Sequence, residues 1–252
     1  MNQLEWERRL FATLRVSGPE SRLLDIGCGR GRIAHHLATL SGGKVSGFNI
    51  DAYQVGNARE YAAAEGMSGR LDFKQGDHHK RFQYEDASFS GAYSVQAIWP
   101  FFKVHELDSV ARELFRVLKP GAHYSCSEYL LTPHFDWNNA EHVELHRLFL
   151  PTLAATQSNY PADVTDALQR AGFRLITSMP SARPSWPLTD QKTDLYILMR
   201  SVVQVLTAIG LSPAWLDTLM TQLLLGGQAW AEAEKMKIAD LNWEIVVEKP
   251  LS

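Results

Sequence analysis

Leu23-Leu24-Asp25-Ile26-Gly27-Cys28-Gly29-Arg30-Gly31-Arg32 is the stretch on which the fold turns. Apolar residues lead into an acid, glycines follow at alternate positions, and an amphipathic pattern begins. Such a run is a buried strand ending in a tight turn, where the backbone must approach a ligand more closely than any Cβ would allow. The helix expected from Arg30 to Leu40 then points its first amides at that ligand. The order Asp-x-Gly-x-Gly-x-Gly differs from the dinucleotide fingerprint Gly-x-Gly-x-x-Gly, because the acid comes first and the glycines alternate. Taken alone, the turn is also compatible with a purely structural strand-to-helix connection.

Outward from this turn, strand and helix patterns alternate. Strands are expected at Arg22 to Ile26, Lys44 to Asn49, Leu71 to Gln75, Phe89 to Gln96 and His123 to Tyr129. Between them, Ala52 to Glu65 reads as a helix stopped by Gly66. His105 to Leu118 reads as another, with Leu107, Val110, Leu114 and Val117 on one face and Lys119-Pro120-Gly121 as its stop. The alternation predicts an α/β, Rossmann-like fold: a mostly parallel seven-stranded sheet, helices on both faces, ligands at the carboxyl ends of the strands. Beyond Leu131 the pattern turns helical. Helices are expected at Ala140 to Thr156, Ala162 to Ala171, Asp194 to Ile209 and Pro213 to Leu225. Strands are expected at Phe173 to Ser178 and Leu241 to Glu248, with a proline-rich loop from Pro180 to Pro187.

Composition narrows the function. The 252 residues carry a net charge of −3, with 45% hydrophobic and 21% charged residues. Nothing there favours nucleic acid or an anionic membrane surface as a partner. No stretch reaches the length of a transmembrane helix, and Met1 to Val16 is too charged for a signal peptide, so a cytoplasmic protein is expected. Cys28 and Cys126 follow no metal spacing and read as small buried thiols. His78 and His79 beside Asp77 have no third ligand placed near them, so no metal site is expected.

The Asp25-to-Gly31 pattern resembles the first motif of the class I S-adenosylmethionine (SAM) methyltransferases. Further segments carry the likeness to one family. Gly47-Phe48-Asn49-Ile50-Asp51-Ala52-Tyr53-Gln54-Val55 is similar to the segment after the second strand of the sterol 24-C-methyltransferases. Glu128-Tyr129 with Thr132, and Phe135-Asp136-Trp137-Asn138-Asn139-Ala140-Glu141-His142, resemble that family's acidic-aromatic pair and Asn-rich stretch. Ile209-Gly210-Leu211-Ser212-Pro213 and Leu225-Gly226-Gly227 are similar to its C-terminal helices. The likeness runs from about Arg22 to Pro250. It implies SAM as cofactor and methyl transfer to a carbon of a hydrophobic, isoprenoid-like alkene. On that reading residues 1–131 form the SAM-binding core. Residues 132–252 form acceptor-pocket helices that complete the sheet of a single domain.

Site residues follow from the same likeness. Gly27, Gly29, Gly31 and Asn49 would hold the methionyl and ribose parts, helped by Asp25, Cys28, Ile50 and Gln54. Asp77 and His78 would meet the adenine, and Arg30 and Gln96 the methyl-donor end. Glu128, Tyr129, Asp136 and His142 would face the acceptor as catalytic residues, with His78, His105 and His146 as further acid–base candidates. Attack by a π bond on a sulfonium methyl leaves a cation on the acceptor. The pocket therefore needs aromatic faces and no nucleophilic water. Trp99, Phe101, Phe102, Trp186, Tyr196, Trp215 and Trp230 are among the aromatics that the chain places in or after its fourth strand.

The chain departs from the family at the acceptor side. Gln96 stands where the family has a glutamate, and a neutral amide brings no charge to a cation. Ile98-Trp99-Pro100 replaces a Thr-Cys-His run, and Pro151-Thr152-Leu153 an acidic Gly-Asp-Gly stretch. Only 21 residues precede Arg22, so the family's N-terminal lid is expected to be mostly absent. Two other readings stay open. One is a cyclase or isomerase that binds SAM without consuming it, and the other a non-catalytic binding subunit of the same fold. A homodimer is expected from the apolar face of Asp194 to Leu225.

Overall fold

The computed structural model describes residues 2–180 and 190–251. Most of the expected Pro180-to-Pro187 loop, with Trp186, lies outside them. The chain divides into two compact units. The first comprises Met1–Leu130, Gln157–Arg183 and Leu241–Ser252, and the second Leu131–Thr156 and Pro184–Asp240.

The first unit is built on the sheet. Strands β1 (Arg22–Ile26), β2 (Lys44–Asn49), β3 (Leu71–Gln75), β4 (Phe89–Val95), β5 (Leu118–Leu131), β6 (Arg174–Met179) and β7 (Ala239–Glu248) lie in the order β3-β2-β1-β4-β5-β7-β6. The pairs β2–β3, β1–β2, β1–β4 and β4–β5 are parallel, and β6–β7 is antiparallel. The strand order reverses between β1 and β4, which is where α/β sheets of this kind take their ligands.

Each strand alternates sides, so Leu23 and Leu24 serve different cores. On one face, α1 (Gln3–Leu14), α2 (Arg32–Ser41) and α3 (Ala52–Ala64) cover Leu23, Val45, Phe73 and Tyr93 with Trp6, Leu10, Leu37 and Ala58. On the other, α4 (Leu107–Val117) and α6 (Pro161–Arg170) cover Leu24, Ile26, Ala92, Tyr124 and Ile245. The expected stripe of α4, Leu107, Val110, Leu114 and Val117, is buried throughout, and Ala111 is buried with it. Helix α1, which the sequence reading left unassigned, follows the same logic. Its buried Trp6, Leu10 and Leu14 recur every fourth residue, and the Asn2 side chain accepts a hydrogen bond from Glu5 N at 2.8 Å.

In the second unit, α5 (Ala140–Phe149) runs into a 3-10 turn at Leu150–Leu153, so the helix expected to Thr156 ends early at Pro151. Helix α7 (Asp190–Ala208) is followed by α8 (Ala214–Lys235). Helix α8 continues ten residues past the Leu225 expected as its end. Gly226 is not a terminator there: an added Cβ would overlap Thr152 Cγ2 and stand 2.8 Å from Leu148 O. The glycine lets α8 lie against the end of α5, which a sequence pattern reads as a stop. Among the described residues, no helix is long and apolar enough to cross a membrane.

Candidate active site

Strand β1 ends at the carboxyl edge of the sheet, and the chain turns through Gly27 to Gly31 into α2. Gly27, Gly29 and Gly31 have φ of 74°, 53° and 76°, the left-handed region that glycine enters without steric cost. A Cβ on Gly27 would overlap Ala97, and one on Gly31 would stand 2.6 Å from Phe73 Cζ. Gly29 differs, because its Cβ would meet only Gln54 Oε1, at 3.4 Å. Two glycines thus permit packing, while the middle one leaves an open side. Phe48 O accepts from Gly27 N (2.9 Å) and Cys28 N (3.1 Å), which fixes the turn. Helix α2 follows Gly31 as its N-cap with no side-chain cap hydrogen bond, so no capping side chain takes its first amides.

Behind the turn, Asp25 is buried and accepts from Tyr93 OH at 2.9 Å. Burial pushes its carboxyl up to about 7, against the opposing pull of the Tyr93 bond. Burial and the neighbouring Asp25 also raise the Cys28 thiol. Glu7, fully buried on α1, accepts from Gln3 (2.8 Å), binds His36 Nδ1 (2.6 Å) and pairs with Arg32. Its burial works against the charge, but these bonds outweigh it and hold the carboxyl below its ordinary value. Helix α1 is thereby tied to the helix that starts at the glycine turn.

At the ends of β2 and β3, the structure places two of the expected residues, Ile50 and Asp77, on the wall of a cavity of about 490 Å³, whose lining does not include Asn49, Gln54 or His78. Ile50, Gly76 and Asp77 line it, over a floor that includes Phe48, Phe82 and Tyr84. Asn49 Oδ1 accepts from Asp51 N at 2.9 Å, so the amide NH2 is the group left to face a guest. Asp77 Oδ1 accepts from His79 N at 2.9 Å, and Lys80 lies 3.5 Å from Oδ2. These partners outweigh burial and lower its pKa. Burial, with His79 beside it, depresses His78 to about 4, so its imidazole is neutral at pH 7. Arg30 is exposed at the turn.

Beside the glycine turn, Gln96 leaves β4 with a φ of 52°, left-handed for a residue that carries a Cβ. Its Nε2 donates to Leu241 O at 3.3 Å and Asn242 Oδ1 at 3.5 Å. A glutamate could not donate there, which gives this departure from the family a physical reason. Glu128 was expected to face the acceptor. Instead it is wholly buried beneath this corner: Oε1 accepts from Ser94 Oγ (2.6 Å) and Oε2 from Ala97 N (2.8 Å). Burial pushes its carboxyl to about 7 despite these bonds. Tyr129 is buried too, its OH 2.9 Å from Ser158 Oγ.

The helical unit holds the remaining candidates. Asp136 is exposed and caps its own turn, accepting from Asn138 N at 2.8 Å. His142 Nδ1 accepts from Asp136 N at 3.0 Å, so the neutral ring carries its proton on Nε2 and offers a donor rather than a base. His146 lies among Phe135, Trp137 and Phe149, with ring centroids 5.6, 5.2 and 5.4 Å away. Burial lowers its pKa from the ordinary 6.5. Among the described residues no His, Cys, Asp and Glu group gathers as a metal site.

Comparison with known proteins gives this corner a context. The family described as a methyltransferase domain matches residues 23–121. A sterol 24-C-methyltransferase of Gibberella zeae is 31% identical over 92% of this chain and 66% of its own length. The chain carries a class I SAM-dependent methyltransferase domain and resembles the sterol 24-C-methyltransferases. A botryococcene C-methyltransferase of Botryococcus braunii is 28% identical over 90% of this chain and 62% of its own. The chain spans slightly less than two thirds of the length of the first of these curated relatives. The fold is shared with a geranyl diphosphate C-methyltransferase of Streptomyces coelicolor A3(2). That structure has a TM-score of 0.69 at 14% identity and covers 97% of this chain and 80% of that one.

The residues of this methyltransferase domain fit SAM. The open flank of Gly29 and the uncapped start of α2 suit an amino-acid group. The cavity at Ile50, Gly76 and Asp77 suits a planar base. Sequence reasoning missed Glu7, Tyr93, Ser94 and Asn159. Only Glu7 had a signal, a charged residue one position after Trp6 in an apolar helical stripe.

Proposed function

We propose that this chain transfers the methyl group of SAM to a carbon of a hydrophobic, terpenoid-like alkene, sterol-type or related. The observation that carries the reading is the corner where the left-handed glycine turn abuts Ala97 at the carboxyl edge of the sheet. Curated relatives named for sterol and botryococcene C-methylation support the choice of acceptor. Gly27, Cys28, Gly29, Arg30, Gly31 and the start of α2 hold the methionyl part. Asn49 donates to the ribose, Gln54 closes the loop from α3, and Ile50, Asp77 and His78 hold the adenine.

SAM supplies an electrophilic methyl on a positively charged sulfur. The protein aligns the acceptor double bond, keeps water away from the cation it becomes, and removes a proton. Within the helical unit, Phe135 packs against Trp137 and Phe149 against Trp230, with ring centroids 4.8 and 5.0 Å apart. Tyr129 and Asp136 keep structural roles.

Methyl-labelled SAM, incubated with the protein and a panel of sterols and linear polyprenes, tests the whole reading. One SAM consumed per methylated product is expected. Product formed without SAM consumption would establish the cyclase or isomerase reading, for which Gln96 in place of an acid is the motive. No product and no binding of S-adenosylhomocysteine would overturn both. The same reading keeps a cytoplasmic location, suited to two free buried thiols. It also keeps a homodimer through exposed Leu198, Val205 and Leu219, which sedimentation as a monomer would exclude.

A further inference from the structure

The segment 96–102, between β4 and α4, is neither strand nor sustained helix. Gln96 is left-handed, Ile98 has φ −120° and ψ −71°, and only Trp99–Phe101 makes one 3-10 turn. Backbone groups in such a segment need partners from elsewhere, because buried unpaired amides and carbonyls are costly. Two side chains far away in sequence supply them. Glu128 takes Ala97 N at 2.8 Å and the Ile98 amide. It also takes Ser94 Oγ at 2.6 Å, which is bonded in turn to Tyr124 OH at 2.7 Å. Asn159 donates through Nδ2 to Trp99 O at 2.8 Å and Phe102 O at 2.9 Å. Gln157 N adds a bond to Pro100 O at 2.9 Å. Glu128 and Asn159 are buried to 0% and 1% exposure, so neither is placed to meet a guest.

The same segment touches the donor loop, because Ala97 fills the space that a side chain on Gly27 would need. A shift of Ala97 therefore moves the glycine turn. We propose that Glu128 and Asn159 are positioning residues, a buried clamp that fixes the 96–102 wall against the donor loop and exchanges no proton with the acceptor. This rests on the methyltransferase reading above.

The pair Glu128→Gln and Glu128→Ala separates positioning from proton transfer. A glutamine fits the clamp: its Oε1 accepts from Ala97 N, and its Nε2 donates to Ser94 Oγ, which can turn its own proton to Tyr124. The amide cannot act as an acid or base. Glu128→Gln is expected to keep kcat within about threefold of wild type and leave its pH profile unmoved, because positioning survives. Glu128→Ala and Asn159→Ala are expected to lose roughly 10²-fold in kcat, the scale of a misplaced wall. Their KM for the acceptor is expected to rise, and affinity for S-adenosylhomocysteine to fall less.

Amide hydrogen exchange reads the clamp independently of turnover. Protection of the Ala97 and Ile98 amides is expected in wild type and Glu128→Gln, and lost in Glu128→Ala. Should Glu128→Ala fail to fold, Glu128→Gln and Asn159→Ala still decide the matter. A folded Glu128→Gln with intact protection and kcat down 10²-fold would make Glu128 a proton-transfer group and overturn the proposal, as would Asn159→Ala with wild-type kinetics and exchange. If the wild type transfers no methyl group, the functional reading fails while the exchange result still tests the clamp.

Discussion

Gly27→Ala is expected to lower kcat by about 10²-fold or more, the cost of moving a reacting group by an ångström, and to weaken binding of S-adenosylhomocysteine. Two effects combine at this position. With φ at 74°, a Cβ in the left-handed region costs roughly 1–2 kcal/mol. The added methyl would also overlap Ala97, and overpacking of a close-fitted site costs typically about 1–3 kcal/mol. A loss of this size lowers the melting temperature by about 10 °C in a chain of this length. Gly29→Ala isolates the first effect, since its Cβ would meet only Gln54 Oε1 at ordinary contact distance. It should melt closer to wild type. The double variant Gly27→Ala/Ala97→Gly removes the overlap but leaves the backbone strain, so part of the lost stability should return. Calorimetry with S-adenosylhomocysteine and thermal melting of the three variants check the argument. Wild-type affinity in Gly27→Ala would mean that Ala97 does not hold the donor loop in place.

What could be read in the sequence was local. The bounds of β1, β2 and β3 agree residue for residue with expectation: β1 and β2 are mostly buried runs closed by a glycine or a polar turn, and β3, at the sheet edge, alternates buried Leu71 and Phe73 with exposed Asp72. The left-handed turn was legible for the same reason, as alternate glycines have few other uses in such a place. Where one residue type serves two purposes, the reading failed. The sequence reading ends a helix at Leu225 and starts β5 only at His123, after a Lys119-Pro120-Gly121 stop at which α4 does end. In fact Gly226 permits close packing, and strand pairing resumes at Leu118 opposite Phe89, with a register shift before Gly91.

The site was legible only in part because its supports are distant in the chain. Glu128 meets Ala97 across 31 positions, and Asn159 meets Trp99 across 60. No spacing rule announces such pairs. Glu128 could be picked as an acid at a strand end, but whether its oxygens face a guest or the protein's own backbone is decided by tertiary structure alone. The same holds for Asp25, whose place in the glycine motif suggests a ligand contact while its carboxyl is turned inward to Tyr93.

That inward turn makes Asp25 a determinant of how stability depends on pH. Burial raises its pKa from 3.8 to about 7, so the folded state holds the proton more tightly than the unfolded chain. Its contribution to stability is therefore full below about pH 4 and declines as pH rises to about 7, then stays level. Each unit corresponds to about 1.36 kcal/mol, so the full decline is on the order of a few kcal/mol. Glu128 acts in the same direction, and Glu7, whose pKa is lowered, in the opposite one as pH falls. Asp25→Asn removes the charge but keeps an acceptor for Tyr93 OH. It is expected to be more stable than wild type at pH 8, with a shallower decline between pH 4 and 7 in urea unfolding. Adding Glu128→Gln should flatten the curve further, since the two carboxyls bond to different partners. An unchanged slope in Asp25→Asn would mean that the wild-type carboxylate is ionised and paired. Donor affinity discriminates the remaining role. If Asp25 acts only through the fold, S-adenosylhomocysteine binds the variant within about threefold of wild type, whereas a tenfold loss at undiminished stability, about 1.4 kcal/mol, would return Asp25 to the donor site.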